Sequence, residues 1–153
     1  MAPGDGRAPS TLPVVLGPIA REAASHFGGR PVVVDPTGSL TYEELDRHAD
    51  DLAAGLAAMG IIEGDVVALT LRSGGDWLVA AVALARLGAV MAGVSTAITA
   101  VERRDLVEIV EPALVLAGPD TVDGLPLRCR VAVLEPGGRG AELASPVGPG
   151  DGP

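Results

Sequence analysis

From residue 61 onward the sequence alternates between short apolar runs and longer runs with helical spacing. "VVALTL" (66–71), "AVMAGVS" (89–95) and "ALVLAG" (113–118) are rich in Val and Leu, and "GDWLVAAVALARLG" (75–88) and "AVERRDLVEIVE" (100–111) separate them. "RCRVAVLE" (128–135) adds a further strand. Continuous apolar strands joined through helices by short connections call for a largely parallel sheet with right-handed crossovers and helices on both faces. The expected class is therefore α/β. With 48% hydrophobic but only 2% aromatic residues, its core must be built from Ala, Val, Leu and Ile.

The preceding residues read as local structure of high definition. "VVLGPIAREAASHF" (14–27) places apolar residues at helical spacing, with Pro18 tolerable near a helix start, and predicts a helix over 17–27. "RPVVVD" is a strand, and in "DPTGS" Pro36 and Gly38 stand at the second and fourth positions of a type I turn, so the chain doubles back into "SLTY" as a hairpin. Thr41 and Glu44 form a T-x-x-E capping box, with Leu40 as a staple residue before it. Leu45, Ala49, Leu52, Ala53 and Leu56 then make one apolar face, and Gly60 stands where a left-handed cap closes a helix of about 18 residues. Thr99 and Glu102 repeat the capping box before a helix that Pro112 terminates, and Gly88 closes the helix between them. Residues 1–12 are Pro, Gly and polar, and 136–153 lack periodicity. The expected organisation is a flexible start at 1–12, one α/β unit at 13–135, and a Gly/Pro-rich linker at 136–153.

Charge and cysteine content exclude several functions. All eleven basic residues are arginine, and the formal net charge is −9. No basic stripe offers the counterion release that nucleic acid or an anionic membrane surface requires, so neither is an expected partner. Residues 77–101 approach the length of a membrane span, yet Gly88, Gly93, Ser95, Thr96 and Thr99 break them into a buried helix, a turn and a buried strand. Cys129 is alone, which permits neither an internal disulfide nor a cysteine metal cluster and suits a reducing cytoplasm. "MAPGDGRAPST" has Pro and Gly where a signal peptide needs an apolar run, so a cytoplasmic location is expected.

No constellation for catalysis survives inspection. "GGRG" (137–140) follows a strand, but a dinucleotide fingerprint from Gly138 needs a glycine at 143, where Leu stands, and a Walker loop needs the lysine this sequence lacks. "GVSTA" (93–97) approaches a nucleophile elbow, but Ala97 replaces its last glycine, and His26 and His48 both precede Ser95. His48 shares a helix face with Glu44 and Asp51, the spacing of a metal or acid–base pair. A solvated face laced with local ion pairs, including Asp46 and Asp50, explains the same residues.

Taken together, the stretches "LTYEEL" (40–45), "GIIEGDVVAL" (60–69), "ARLGAVMAGVS" (85–95) and "AITAVERRDLVEIVEPALVLA" (97–117) resemble, in order and spacing, the start of the adenylate-forming enzyme superfamily. That superfamily comprises acyl- and aryl-CoA ligases, nonribosomal peptide adenylation domains and luciferases. The resemblance spans roughly residues 14–135. It implies an incomplete N-terminal subdomain of an enzyme that uses ATP and magnesium to turn a carboxylate into an acyl-adenylate, then passes the acyl group to coenzyme A or a carrier protein. The family's lysine-bearing phosphate loop, its aromatic–Thr–Glu segment, its ribose-binding Asp and its catalytic lysine have no counterpart in these residues. No catalytic, cofactor-binding or metal residue is therefore carried over. The resemblance implies a scaffold that is not catalytic alone, whose partner is the remainder of a ligase chain or a complementary subunit. Two alternatives stay open: a standalone non-catalytic α/β module that binds a protein or completes a split enzyme, and an unrelated α/β domain with a small ligand at its strand ends.

Overall fold

The computed structural model describes residues 16–36 and 38–137. The expectations for residues 1–12, for Thr37 in the hairpin turn and for the linker beyond Gly137 lie outside them. The chain begins with α1 (Leu16–Phe27), a hairpin of β1 (Pro31–Asp35) and β2 (Gly38–Thr41), and α2 (Tyr42–Ala58). Then follow β3 (Val66–Thr70), α3 (Gly75–Leu87), β4 (Val90–Gly93), α4 (Ala100–Val110), β5 (Leu114–Ala117) and β6 (Val131–Val133). The hairpin is a two-stranded antiparallel sheet, and the other four strands form one parallel sheet in the order β4-β3-β5-β6.

Strand alternation sorts the core into two clusters. Val67 and Leu69 of β3, Leu114 and Leu116 of β5 and Ala132 of β6 point to one face, where they meet Leu45, Ala49, Leu52 and Leu56 of α2 and Val79, Val82 and Ala83 of α3. Ala68, Val115, Ala117 and Val131 point to the other face, against Val107 of α4. Helices thus cover both faces, which is why β3 and β5 read as unbroken apolar runs.

The helix ends follow their sequence signals. Thr41 Oγ1 accepts from the Glu44 N–H at 3.1 Å while the Glu44 carboxylate accepts from the Thr41 N–H at 2.8 Å. The same reciprocal pair joins Thr99 and Glu102 at 3.2 and 2.8 Å. Gly88 closes α3 in the left-handed region at φ 68°, and Gly60 follows α2 at φ 92°.

One strand departs from expectation. β4 is the edge of the sheet and not a buried strand, with Val90 51% and Met91 39% exposed. Its apolar composition matches that of an interior strand because composition does not encode position in the sheet.

Removing one partner of the α2 box should show directly in stability. Thr41→Ala is expected to lower it by about 1 kcal/mol in urea unfolding, the usual cost of losing an N-cap hydroxyl. At the α4 box, hydrogen bonds from the Thr99 backbone and hydroxyl hold the Glu102 carboxyl below its ordinary pKa. That stabilisation is present above the unfolded glutamate value and is lost as pH falls through the lower folded value. Glu102→Gln keeps the box with a neutral acceptor, so acid titration of unfolding should show a shallower decline for the variant than for the parent chain.

Candidate functional site

In parallel α/β sheets ligands bind beyond the carboxyl ends of the strands, and a cleft lies there. It encloses about 460 Å³ between the end of β3, the start of α3, the loop after β5 and the residues after β6. Leu71, Leu134 and Pro119 give it apolar walls, and Asp35, Arg72, Asp76 and Asp120 supply charge. The sequence signal for it was "RSGGD" directly after β3 and "GPD" directly after β5, two polar loops at strand ends.

Local hydrogen bonding fixes this end of the fold. Gly74, at the N-cap of α3, offers no side chain, and Asp35 from the hairpin takes over the capping: its Oδ2 accepts the Gly75 N–H at 2.7 Å. The position demands glycine, since a Cβ on Gly74 would come within 2.8 Å of that same oxygen. Buried Thr121 donates its hydroxyl to the Thr70 carbonyl at 2.7 Å and accepts the Gly118 N–H at 3.0 Å, which ties the loop after β5 to the end of β3. Arg72 pairs with Asp120 at 2.6 Å across the rim. Asp76 accepts the Gly137 N–H at 2.9 Å through Oδ2, and its buried Oδ1 has no hydrogen-bond partner among the described residues.

The donor set of this cleft does not fit the phosphates of a nucleotide. A carboxylate already occupies the N-terminus of α3, the Asp76 and Asp120 carboxylates also line the space, and Arg72, the only cation among the described lining residues, is paired. A triphosphate would meet repulsion where it needs donors.

The residues weighed from sequence fall elsewhere. Glu44 serves in its capping box and His48 is half-buried on α2. Among the described residues no group of three His, Cys, Asp or Glu side chains could hold a metal ion. Ser95 accepts the Ala97 N–H at 3.1 Å in a local turn. Burial pushes the Cys129 thiol above its ordinary pKa, which disfavours the thiolate. None of the helices of the described residues is long and apolar enough to cross a membrane. "GGRG" lies outside the described residues apart from Gly137.

Asp46 and Asp50 form ion pairs across helices as well as lying on a polar face. Arg86 of α3, with its side chain 12% exposed, donates to the Asp46 carboxylate, to the Asp46 carbonyl at 2.7 Å and to Asp50 at 2.8 Å. Arg21 of α1 grips Asp50 from the other side at 2.8 Å. Gly17 brings α1 close to this point, since a Cβ there would stand 3.0 Å from Arg86 Cγ. The network is the joint of α1, α2 and α3, remote from the strand-end cleft.

Residues 20–141 match the AMP-binding enzyme family. The chain belongs to that family. It is 35% identical over 111 residues to a methyl-dioxo-octahydroindenyl-propanoyl:CoA ligase of Rhodococcus jostii, covering 72% of this chain and 21% of that protein. It is 42% identical over 85 residues to the salicyl-AMP ligase / salicyl-S-ArCP synthetase of Mycobacterium tuberculosis, covering 52% and 14%. The fold is that of the Klebsiella oxytoca NpsA N-terminal subdomain, solved with anthranilyl-AMSN, at TM-score 0.68 and 24% identity over 88% of this chain and 33% of that one. This AMP-binding family member thus spans about a fifth and a seventh of the two ligases.

The ionic joint yields a direct test. Arg86→Met should destabilise the chain by roughly 2 kcal/mol, less than the ~3–5 kcal/mol of breaking a fully buried pair, because Asp50 keeps contact with water. Thermal or urea unfolding checks it.

Proposed function

We propose that this chain is the N-terminal scaffold of an ATP-dependent ligase that converts a carboxylic acid to its acyl-adenylate and then to a thioester with coenzyme A or a carrier protein. The observation that carries the reading is the family match over residues 20–141. Two relatives named for CoA ligation and for salicyl transfer to ArCP support it.

The scaffold contributes no group to the chemistry. Adenylation builds negative charge between carboxylate and phosphate, and a positioned cation must meet it. This sequence has no lysine, and its strand-end arginine is paired with Asp120. ATP, magnesium and the acyl group are therefore held by the remainder of the ligase, which is this chain's main partner. The exposed edge of β4 at Val90 and Met91, and Val101, Leu106 and Ile109 of α4, offer apolar surface for that association. The proposed location is the cytoplasm, where such an enzyme meets ATP and coenzyme A.

Incubated with ATP, magnesium and a panel of carboxylic acids, the 153-residue chain should release no pyrophosphate above the ATP blank. Sustained acid-dependent release would overturn the scaffold reading. Sequencing the coding frame past Pro153 supplies the positive arm. A lysine-bearing loop rich in Gly, Ser and Thr soon after that codon supports the ligase, whereas a stop codon there would turn the reading toward a separate partner subunit.

A further inference from the structure

Among the described residues the parallel sheet is left open along β4. The Val90 N–H donates to the Asp65 carbonyl at 2.7 Å and the Val94 N–H to the Leu69 carbonyl at 2.9 Å. Even-numbered residues of this strand therefore turn their backbone to β3, and Met91 and Gly93 turn their N–H and C=O groups to the open edge. The strand is Val, Met, Ala and Gly in continuous register, with no charge, bulge or proline to blunt it. Such a row of donors and acceptors is a template for a further strand.

Beside that edge lies an apolar groove. Register pairs Val90 with Val66 and Ala92 with Ala68, so their side chains point to the face that Ala68 shares with α4. On α4, Glu108 and Glu111 line a recess with Arg128 and Cys129, ahead of β6. Leu106 and Ile109 stand about 200° round the helix from those two glutamates and so face the β4 side. Val90, Leu106 and Ile109 are 51%, 44% and 77% exposed. Helices pack roughly 8–10 Å apart while strands are spaced about 4.8 Å. One helix therefore covers two strands, and α4, packed on Ala68 of β3 and Val115 of β5, leaves β4 without a helix on this face.

We propose that a β-strand of the ligase remainder extends this edge by pairing with the backbone of Met91 and Gly93, and that the helix joined to that strand fills the groove of Val90, Leu106 and Ile109. The inference rests on the ligase reading, under which most of the enzyme lies outside this chain, as its 21% and 14% shares of two ligases indicate. A second copy of this chain fits the groove poorly. Each copy carries a net charge of −9, and the exposed Glu102 and Asp105 lie one turn from Leu106 and Ile109, so paired copies would bring acidic rims together. The same two carboxylates suit a helix whose apolar side chains are flanked by arginine or lysine.

Hydrogen exchange resolved to single amides, measured on the full product of the coding frame, tests the pairing. The Met91 and Gly93 N–H groups should be protected there as strongly as those of Ala92 and Val94, and should exchange fast in the 153-residue chain. Ile109→Gln tests the groove: it should leave the melting temperature of the 153-residue chain nearly unchanged and lower that of the full product by several degrees. An equal shift in both overturns the groove. A product longer than 153 residues in which Met91 and Gly93 exchange fast overturns the pairing and leaves the ligase reading standing. A frame that ends at Pro153 overturns the ligase reading and this occupant together, and protection of Met91 and Gly93 that then rises with protein concentration assigns the edge to a second copy.

Discussion

β3 is hydrogen-bonded on both edges and buried on both faces, and the rest of the molecule is arranged to keep it so. A strand in that position can expose no backbone group and carry no charge, and residues 67–69 are accordingly Val, Ala and Leu with almost no accessible surface. Covering one face takes α3, itself so apolar that it needs α1 and α2 over it, and covering the other takes α4. The small side chains on the α4 side, Ala68 and Ala117, let that single helix approach closely enough to close the second cluster. The layer of three helices is then pinned at its outer end by arginine and aspartate and at the strand ends by Asp35, while Thr121 ties the loop after β5 to the end of β3.

Much of this was legible in sequence wherever the physics is local. The capping boxes at Thr41 and Thr99 are contacts between residues three apart, and the left-handed glycines at 60 and 88 answer to the steric limits of their own backbone. The alternation of strands and helices was equally readable, because burial on two faces imposes an unbroken apolar run. What the sequence hid was every feature set by residues distant along the chain. Val90 and Met91 look like interior-strand residues, and only the order β4-β3-β5-β6 leaves them at the edge. Asp46 and Asp50 look like a solvated helix face until Arg86, which lies 40 and 36 residues away from them, is folded against them.

The strand-end cleft belongs to that hidden class. Its walls come from the hairpin, from two βα or loop junctions and from residues after β6, so no window of the sequence contains it. Individual polar loops after β3 and β5 hinted at its position, but not at its charge. Folding gathers Asp35, Asp76 and Asp120 there, and two of these are engaged in holding backbone N–H groups. Carboxylates used in this way order loops and cap a helix. They also make the cleft a poor host for the phosphates that the family's chemistry handles.

On the proposed ligase reading stability and chemistry are separated along the chain, and the separation has a physical basis. A helix N-terminus can hold a substrate anion only if the protein leaves it uncapped, at a cost in stability borne elsewhere. Here the N-termini of α2 and α4 are closed by their own glutamates and that of α3 by Asp35, so none of these three is left open for a ligand. A subdomain with its helix starts satisfied in this way gains local order and gives up anion binding at those positions. On that reading phosphate binding falls to other residues of the ligase, and this part of the fold is free to be acidic, lysine-free and well packed.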